Sequence, residues 1–310
     1  MKKYLILLLL ALFWSPSFLF IGLGLRGFGP VTIVALRTSI GALLLCLFMR
    51  ARGVPIPRHA AALRGYAMLG IVGTAVPFLM YSVGEQFAAS GLAAIINGTT
   101  PIFTLLFAHW MTHDDRLSID KSIGIALGVG GIVLLFVPEL RGTMSGARTL
   151  TGLAMFIFAP VGYALSAVYA RTRMNGMSGM SSLAMSAGQL IVAAAALIPA
   201  ALVFERPFSA RPPIEAVGSV LALGSIGTAI AYVIYYDLLE QTNATFVSLT
   251  TFLIPPGGIA LGMIVLGERP GWNAFFGCGL ILSGIFALRG GFSRSIRRAR
   301  KTLSARSSAP

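Results

Sequence analysis

The sequence predicts an all-α integral membrane protein of ten transmembrane helices, arranged as two inverted five-helix repeats around a central cavity. Three observations carry that expectation. The composition is too apolar for water, ten apolar stretches follow one another with short connections, and the chain resembles itself at an offset of 154 residues.

Of the 310 residues, 56% are hydrophobic and 11% are charged, against about 25% charged in a soluble domain. Mean hydropathy is +0.84. Ten acids and 24 bases are too few to cover a globule of this size in water, so lipid is the expected solvent. The 36 glycines have no collagen-like period and lie within apolar runs, where small residues let membrane helices approach. Cys46 and Cys278 also fall in apolar runs and read as packing residues, not as a disulfide framework. The net charge of +14 raises the question of a nucleic-acid partner; the placement of the charges answers it in favour of membrane topology and membrane lipid.

The ten apolar segments are 4–25, 31–49, 65–84, 89–111, 122–138, 151–170, 182–204, 216–238, 243–266 and 272–289. About 20 apolar residues suffice to cross a bilayer. The first begins like a signal peptide, with Lys2 and Lys3 before an apolar core, but it runs on past Pro16 without a small-residue cleavage site and reads as an uncleaved span. With the N-terminus inside, seventeen bases fall on the inner side: Lys2, Lys3, Arg50, Arg52, Arg58, Arg64, Arg116, Lys121, Arg171, Arg173 and seven from Arg289 onward. Six fall outside, namely Arg26, Arg141, Arg148, Arg206, Arg211 and Arg269. Positive charge marks the cytoplasmic side, so both termini are expected inside, which requires an even number of spans. Residues 291–310 form a basic, serine-rich tail of the kind attracted to anionic lipid.

The self-similarity pairs Gly73–Tyr81 with Gly227–Tyr235, Pro101 with Pro255 and Asp114 with Glu268 at an offset of 154. At 153, Gly124 pairs with Gly277 and Gly131 with Gly284. The chain therefore divides into a first five-span unit, 1–140, and a second, 150–290. Five is odd, so the second unit enters the membrane from the opposite side. Inverted repeats are a signature of secondary transporters, with the solute site near mid-membrane between the halves.

Polar residues within the spans face the bundle interior or a water-filled space. In span 1, Pro16 interrupts the helix between Trp14 and Ser17. Span 2 holds Arg37, the one base at depth, for which two readings are open: snorkelling to the outer surface, or pairing with a solute carboxylate. Its counterpart in the second half is Gln189, in a loose alignment. Spans 3 and 8 bring Tyr81 and the repeat-related Tyr235, with Tyr232 one turn away. Span 4 presents Asn97, Thr100, Pro101 and Thr104 on one face, and span 9 presents Thr245, Ser248, Thr251 and Pro255. Span 6 adds Pro160 and Tyr163. The candidate solute-binding set is thus Trp14, Ser17, Arg37, Tyr81, Asn97, Thr100, Pro101, Tyr163, Tyr232, Tyr235, Thr251 and Pro255. Aromatic walls with hydroxyl tips suit an amphipathic small-molecule solute. The competing readings are that the aromatics are core, that the hydroxyls serve helix packing, and that the prolines are mechanical kinks.

His109 and His113 stand four apart, the spacing at which two imidazoles on a helix can hold zinc. Trp110 occupies the place where a metalloprotease helix carries glutamate, and the one other histidine is His59. An interfacial position explains them better, and no metal is expected. Asp114 and Glu268 read as helix N-terminal acids. No phosphate-binding glycine loop or nucleophile elbow is present, and no cofactor is expected. Acids at depth are nearly absent, with Glu85 at the outer end of span 3 and Asp237 and Glu240 at the inner end of span 8. That pattern favours facilitated diffusion or exchange over proton coupling.

Taken in order, LFWSPSFLFIGLGL, VALRTSIGALLLCL, the long run from Gly73 to Ala108 with Asp114 after it, and the second run from Gly227 to Trp272 resemble the EamA-type carriers of the drug/metabolite transporter superfamily. The resemblance spans roughly residues 4–289. It implies a basket-like bundle with a central cavity in a bacterial inner membrane, and a carrier, often an exporter, of amino acids or related metabolites. The first-half acid is Asp114 where such carriers commonly have glutamate, and the two histidines are outside the pattern. A membrane-embedded enzyme and a non-transporting scaffold are the alternatives; the first needs a cluster of acids, histidines or a nucleophile at one depth, which the sequence lacks.

Overall fold

The computed structural model describes residues 2–113, 115–135, 137, 147–174, 181–205, 207, 212–266 and 271–288. Asp114, Glu268 and the tail 291–310, singled out above, lie outside them. The described residues form a helical bundle. In chain order the helices are α1 (Lys2–Trp14), α2 (Ser17–Gly24), α3 (Pro30–Ala51), α4 (Ala60–Gly70), α5 (Val76–Gly84), α6 (Ser90–Asn97), α7 (Thr100–Met111), α8 (Ile119–Leu135), α9 (Ala147–Met174), α10 (Ser182–Phe204), α11 (Ile214–Gly224), α12 (Ala231–Gln241), α13 (Ala244–Ser248), α14 (Thr250–Leu266) and α15 (Trp272–Leu288). Two π-helical turns, π1 (Ile71–Ala75) and π2 (Ser225–Ile230), join α4 to α5 and α11 to α12.

Seven helical stretches are long and apolar enough to cross a membrane: Lys2–Gly24, Pro30–Ala51, Ala60–Gly84, Ser90–Met111, Arg148–Arg173, Ser182–Phe204 and Ile214–Gln241. The other expected spans are helical too but shorter, with α8 and α15 at 17 residues each. Large apolar side chains such as Leu43, Phe275 and Phe276 point outward, the last two each 66% exposed. Such an apolar exterior is stable against lipid, where helices satisfy their own backbone groups.

Local chemistry sets the helix ends. Pro30 opens α3 at a position where the missing N–H costs nothing. The free N–H groups of that first turn are taken by Glu205, at the end of α10: Oε1 accepts from Val31 at 2.9 Å and Oε2 from Thr32 at 2.7 Å. A carboxylate at a helix N-terminus also meets the positive end of the dipole. Asn243 caps α13 by accepting from Phe246 N. Asp115 adds a second acceptor there, from Thr245 N at 2.9 Å, while its other oxygen meets Lys121 at 2.7 Å.

The packing threads the two halves of the sequence through each other. The helix α3 lies along α10, α9 along α5, π1 and α7, and α1 along α12, π2 and α14. The most extensive contact joins α8 and α15. There a Cβ at Gly124 would stand 2.7 Å from Gly284 O, and one at Gly131 would stand 2.7 Å from Gly277 O. The low end of α8 meets the high end of α15, so the pair runs antiparallel with backbones in contact, and only glycine fits at these crossings.

Two variants test the crossing by thermal unfolding in detergent. Gly131→Val is expected to lose about 1–3 kcal/mol through overpacking. Gly130→Ala, whose added Cβ meets nothing within 4 Å, is expected to be neutral or to gain up to about 1 kcal/mol.

Candidate functional site

A cavity of about 80 Å³ lies between α1, π1, α5, α6, α7, α9, α10, α12, α13 and α14. On a measure where one water takes roughly 10–15 Å³, it has room for several waters. Its wall is made by Trp14, Gly73, Phe78, Asn97, Thr100, Thr104, Tyr163, Ser166, Ala167, Gln189, Tyr232, Tyr235, Tyr236, Val247, Ser248, Thr251 and Ile254. None of these side chains is ionised at neutral pH.

The break in the first span aims Trp14 at the cavity. The one hydroxyl hydrogen of Ser15 is shared between Ala11 O and Ile254 O, at 2.7 and 3.0 Å, which pins the break against α14. The Trp14 indole then donates to Gly227 O at 3.0 Å and packs its ring against Tyr232 and Tyr235. Gly227 O is available because of π2: the N–H of Ala231 reaches back five residues to Ile226 O, leaving the ordinary four-back acceptor free. In π1, Val76 N–H likewise bonds Ile71 O; here Pro77 has no N–H for Gly73 O, which explains the wider turn.

Arg37 uses the same carbonyl. Its Nη2 donates to Gly227 O at 3.2 Å and its Nε to Thr228 Oγ1 at 2.7 Å. The guanidinium lies over the Phe78 ring, 3.7 Å from its centroid. Phe78 thus separates Arg37, itself 4% exposed, from the cavity. Among the described residues no carboxylate lies within ion-pair distance of Arg37.

The remaining candidates fall as follows. Asn97, Thr100, Tyr163, Tyr232, Tyr235 and Thr251 line the cavity beside Trp14. Tyr81 does not; its ring is buried among Phe18, Phe156 and Tyr163, and its hydroxyl donates to Asn97 Oδ1 at 3.1 Å. Ser17 lies near Gly227, its hydroxyl buried without a partner among the described residues. Pro101 occupies the first turn of α7, where Thr100 Oγ1 donates to Asn97 O at 2.6 Å. Pro255 lies inside α14, outside the lining, and leaves Thr251 O without the N–H it would otherwise receive.

The serine and threonine hydroxyls of the wall share one orientation. Thr104 donates to Thr100 O, Ser248 to Thr245 O and Thr251 to Ser248 O. A hydroxyl whose hydrogen goes to its own helix keeps only lone pairs to offer, so this part of the wall accepts. The side chains missed from sequence include Phe78, Gln189 and Tyr236. The spacing of Tyr232, Tyr235 and Tyr236, i, i+3, i+4, places all three on one face and was the available signal. His109 and His113 are far from this chemistry: His109 Nδ1 accepts from Leu117 N at 3.4 Å, and His113 lies beside Arg116. At the end of α5, Glu85 accepts from Ser90 Oγ at 2.7 Å, and burial pushes its carboxyl above the usual carboxylate range.

A bundle of membrane-length helices enclosing an uncharged cavity defines a class, the multi-span membrane proteins built around a small-solute chamber. The chain belongs to the EamA-like transporter family, whose pattern it matches over residues 1–137 and 150–290. It is similar to an uncharacterized transporter of Archaeoglobus fulgidus, 25% identical over 92% of this chain and 98% of that one. It is also similar to the uncharacterized inner membrane transporter YedA of Escherichia coli, 26% identical over 84% and 81% of the two chains. A probable terminal-alkyne amino-acid exporter of Streptantibioticus cattleyicolor is 23% identical over 91% of each. One solved crystal structure superposes with a TM-score of 0.77 at 20% identity, over 92% of this chain and 96% of that one; at that identity the likeness concerns the fold.

Arg37→Lys tests the π2 anchor. An ammonium cannot span Gly227 O and Thr228 Oγ1 while lying flat on Phe78, so the unfolding midpoint in detergent is expected to fall, by about 2 kcal/mol in stability. Arg37→Met is expected to cost less than Arg37→Lys, because it leaves no poorly paired charge behind.

Proposed function

We propose that the protein carries small amphipathic metabolites, amino acids or related solutes, across the bacterial inner membrane by alternating access, without catalysing a reaction. The observation that carries this reading is the composition of the cavity wall. It draws on Trp14, Phe78 and Asn97 from the first half and Gln189, Tyr232 and Thr251 from the second. It offers aromatic faces, hydroxyl acceptors and amide donors without a fixed charge. A zwitterion matches such a wall: its carboxylate meets N–H donors, and its ammonium meets hydroxyl lone pairs and ring faces.

In this reading residues 1–140 and 150–290 are two inverted five-span repeats, with α8, α13 with α14, and α15 completing ten spans. The antiparallel crossing of α8 and α15 supports it. Gly124 and Gly277 are related by the repeat, as are Gly131 and Gly284, and the contacts exchange partners, Gly124 to Gly284 and Gly131 to Gly277. A two-fold axis in the membrane plane produces this exchange. The bias of basic residues supports cytoplasmic termini and a basic inner tail. The exporter name of the Streptantibioticus relative supports outward movement of an amino-acid-like solute. A wall without carboxylate or histidine favours facilitated diffusion or exchange over proton coupling.

Uptake into proteoliposomes tests the function, using a panel of radiolabelled amino acids with and without a pH gradient. Saturable uptake of one class without the gradient is expected, falling about 10-fold or more in Trp14→Ala. Uptake that requires the gradient would contradict the coupling assignment and direct attention to Glu85. Folded protein that moves none of the panel would favour the scaffold alternative. Reporter fusions at the C-terminus test topology, with activity expected from a cytoplasmic reporter alone.

A further inference from the structure

Gln189 lies on α10, 1% exposed, and is one of the residues that line the cavity. Half of its amide is satisfied. Its Oε1 accepts from the Tyr236 hydroxyl at 2.6 Å, while Nε2 is buried with no hydrogen-bond partner among the described residues. In this arrangement the hydroxyl hydrogen and the amide oxygen satisfy each other, and the two amide hydrogens are what remains. A buried donor left without an acceptor costs about 1–3 kcal/mol, and natural structures keep such groups where a ligand or water completes them.

The place of Gln189 in the fold sharpens the point. Gly70 and Gly224 are related by the 154-residue offset. A Cβ at Gly70 would stand 2.6 Å from Gln189 O, and one at Gly224 would stand 3.1 Å from Arg37 O. Gln189 therefore occupies in the second half the position that Arg37 occupies in the first. The fork of Arg37 is spent on π2 and lies behind Phe78. Gln189, unlike Arg37, is among the residues that line the cavity. Asn97 on the opposite half is held in the same way, its Oδ1 taken by a tyrosine hydroxyl. The Ser and Thr hydroxyls give their hydrogens to their own helices, so they do not supply the donor that an anionic oxygen requires.

We propose that Gln189 is the acceptor-recognition point of the cavity, its Nε2 donating to a carboxylate or carbonyl oxygen of the bound solute, with Tyr236 as its positioning residue. The assignment rests on the carrier reading of this cavity and adds a ligand class to it: solutes bearing such an oxygen are bound, and the corresponding simple amines are discriminated against.

Isothermal titration of the full chain in detergent tests it with three probes of one shape: L-leucine, L-leucinamide and isopentylamine. The wild type is expected to bind the first two about 10-fold or more tightly than the amine. Gln189→Leu is expected to bind all three at the level of the amine, with the loss of the orphaned Nε2 donor offset in stability by the Tyr236 hydroxyl left without its acceptor. Tyr236→Phe, which frees the amide to turn, is expected to show intermediate discrimination. Gln189→Glu, a second route if the leucine variant does not fold, is expected to lose leucine and keep isopentylamine. Undiminished discrimination by folded Gln189→Leu or Gln189→Glu would overturn the assignment alone. A wild type that binds none of the three probes would overturn it together with the carrier reading for solutes of this size.

Discussion

The carbonyl of Gly227 is the point on which the cavity depends. It accepts from Trp14 at the end of α1 and from Arg37 of α3, and it belongs to π2. A carbonyl inside a regular helix is spent on the N–H four residues ahead, and π2 releases this one. Three elements from two halves of the chain are thereby tied at one atom. A cation within a span costs roughly 2.5–3.5 kcal/mol to insert, and here the charge is met by two oxygens and an aromatic face. The same contact fixes the indole of Trp14, and through it Tyr232 and Tyr235, so the shape of the wall follows from where the guanidinium is held.

Two stretches offset by 154 residues pack alike with unlike side chains. Gly70 and Gly224 pass equivalent carbonyls on α10 and α3, yet the side chains beyond those carbonyls are an uncharged amide and a guanidinium. The guanidinium is bound to π2, and Gln189 is among the residues that line the cavity. Tyr81 and Tyr235 divide in the same way: Tyr81 serves the scaffold by holding Asn97, and Tyr235 forms wall. In the proposed carrier cycle, like backbone packing with an unlike lining would let two related conformations present one solute with one set of contacts.

Much of this was legible from sequence, because hydropathy and repetition are properties of the chain itself. The seven membrane-length helical stretches, the break at Pro16 and the polar faces of α6 with α7 and α13 with α14 follow from residue periods. What escaped depends on contacts between distant segments. Nothing in the sequence distinguishes π1 and π2 from ordinary helix, apart from Pro77 four residues after Gly73. Arg37 at depth announces itself, but its acceptor is a carbonyl released 190 residues away. Glu205 reads as one more acid after a span, and only the fold brings it to the first turn of α3. Pro101 reads as a kink because α6 and α7 look continuous; the break at Gly98 and Thr99 puts it in a first turn instead.

Alternating access requires that one wall position be reached from both sides of the membrane in turn. Ser248 lines the cavity, is 7% exposed, and differs from cysteine by one atom. In a chain whose Cys46 and Cys278 are replaced by serine, Ser248→Cys is labelled in oriented vesicles with a membrane-impermeant thiol reagent applied to either face. Labelling from both faces, slowed by a transported solute, is the result predicted. Labelling from one face alone, or labelling that a transported solute does not slow, would contradict alternating access through this cavity.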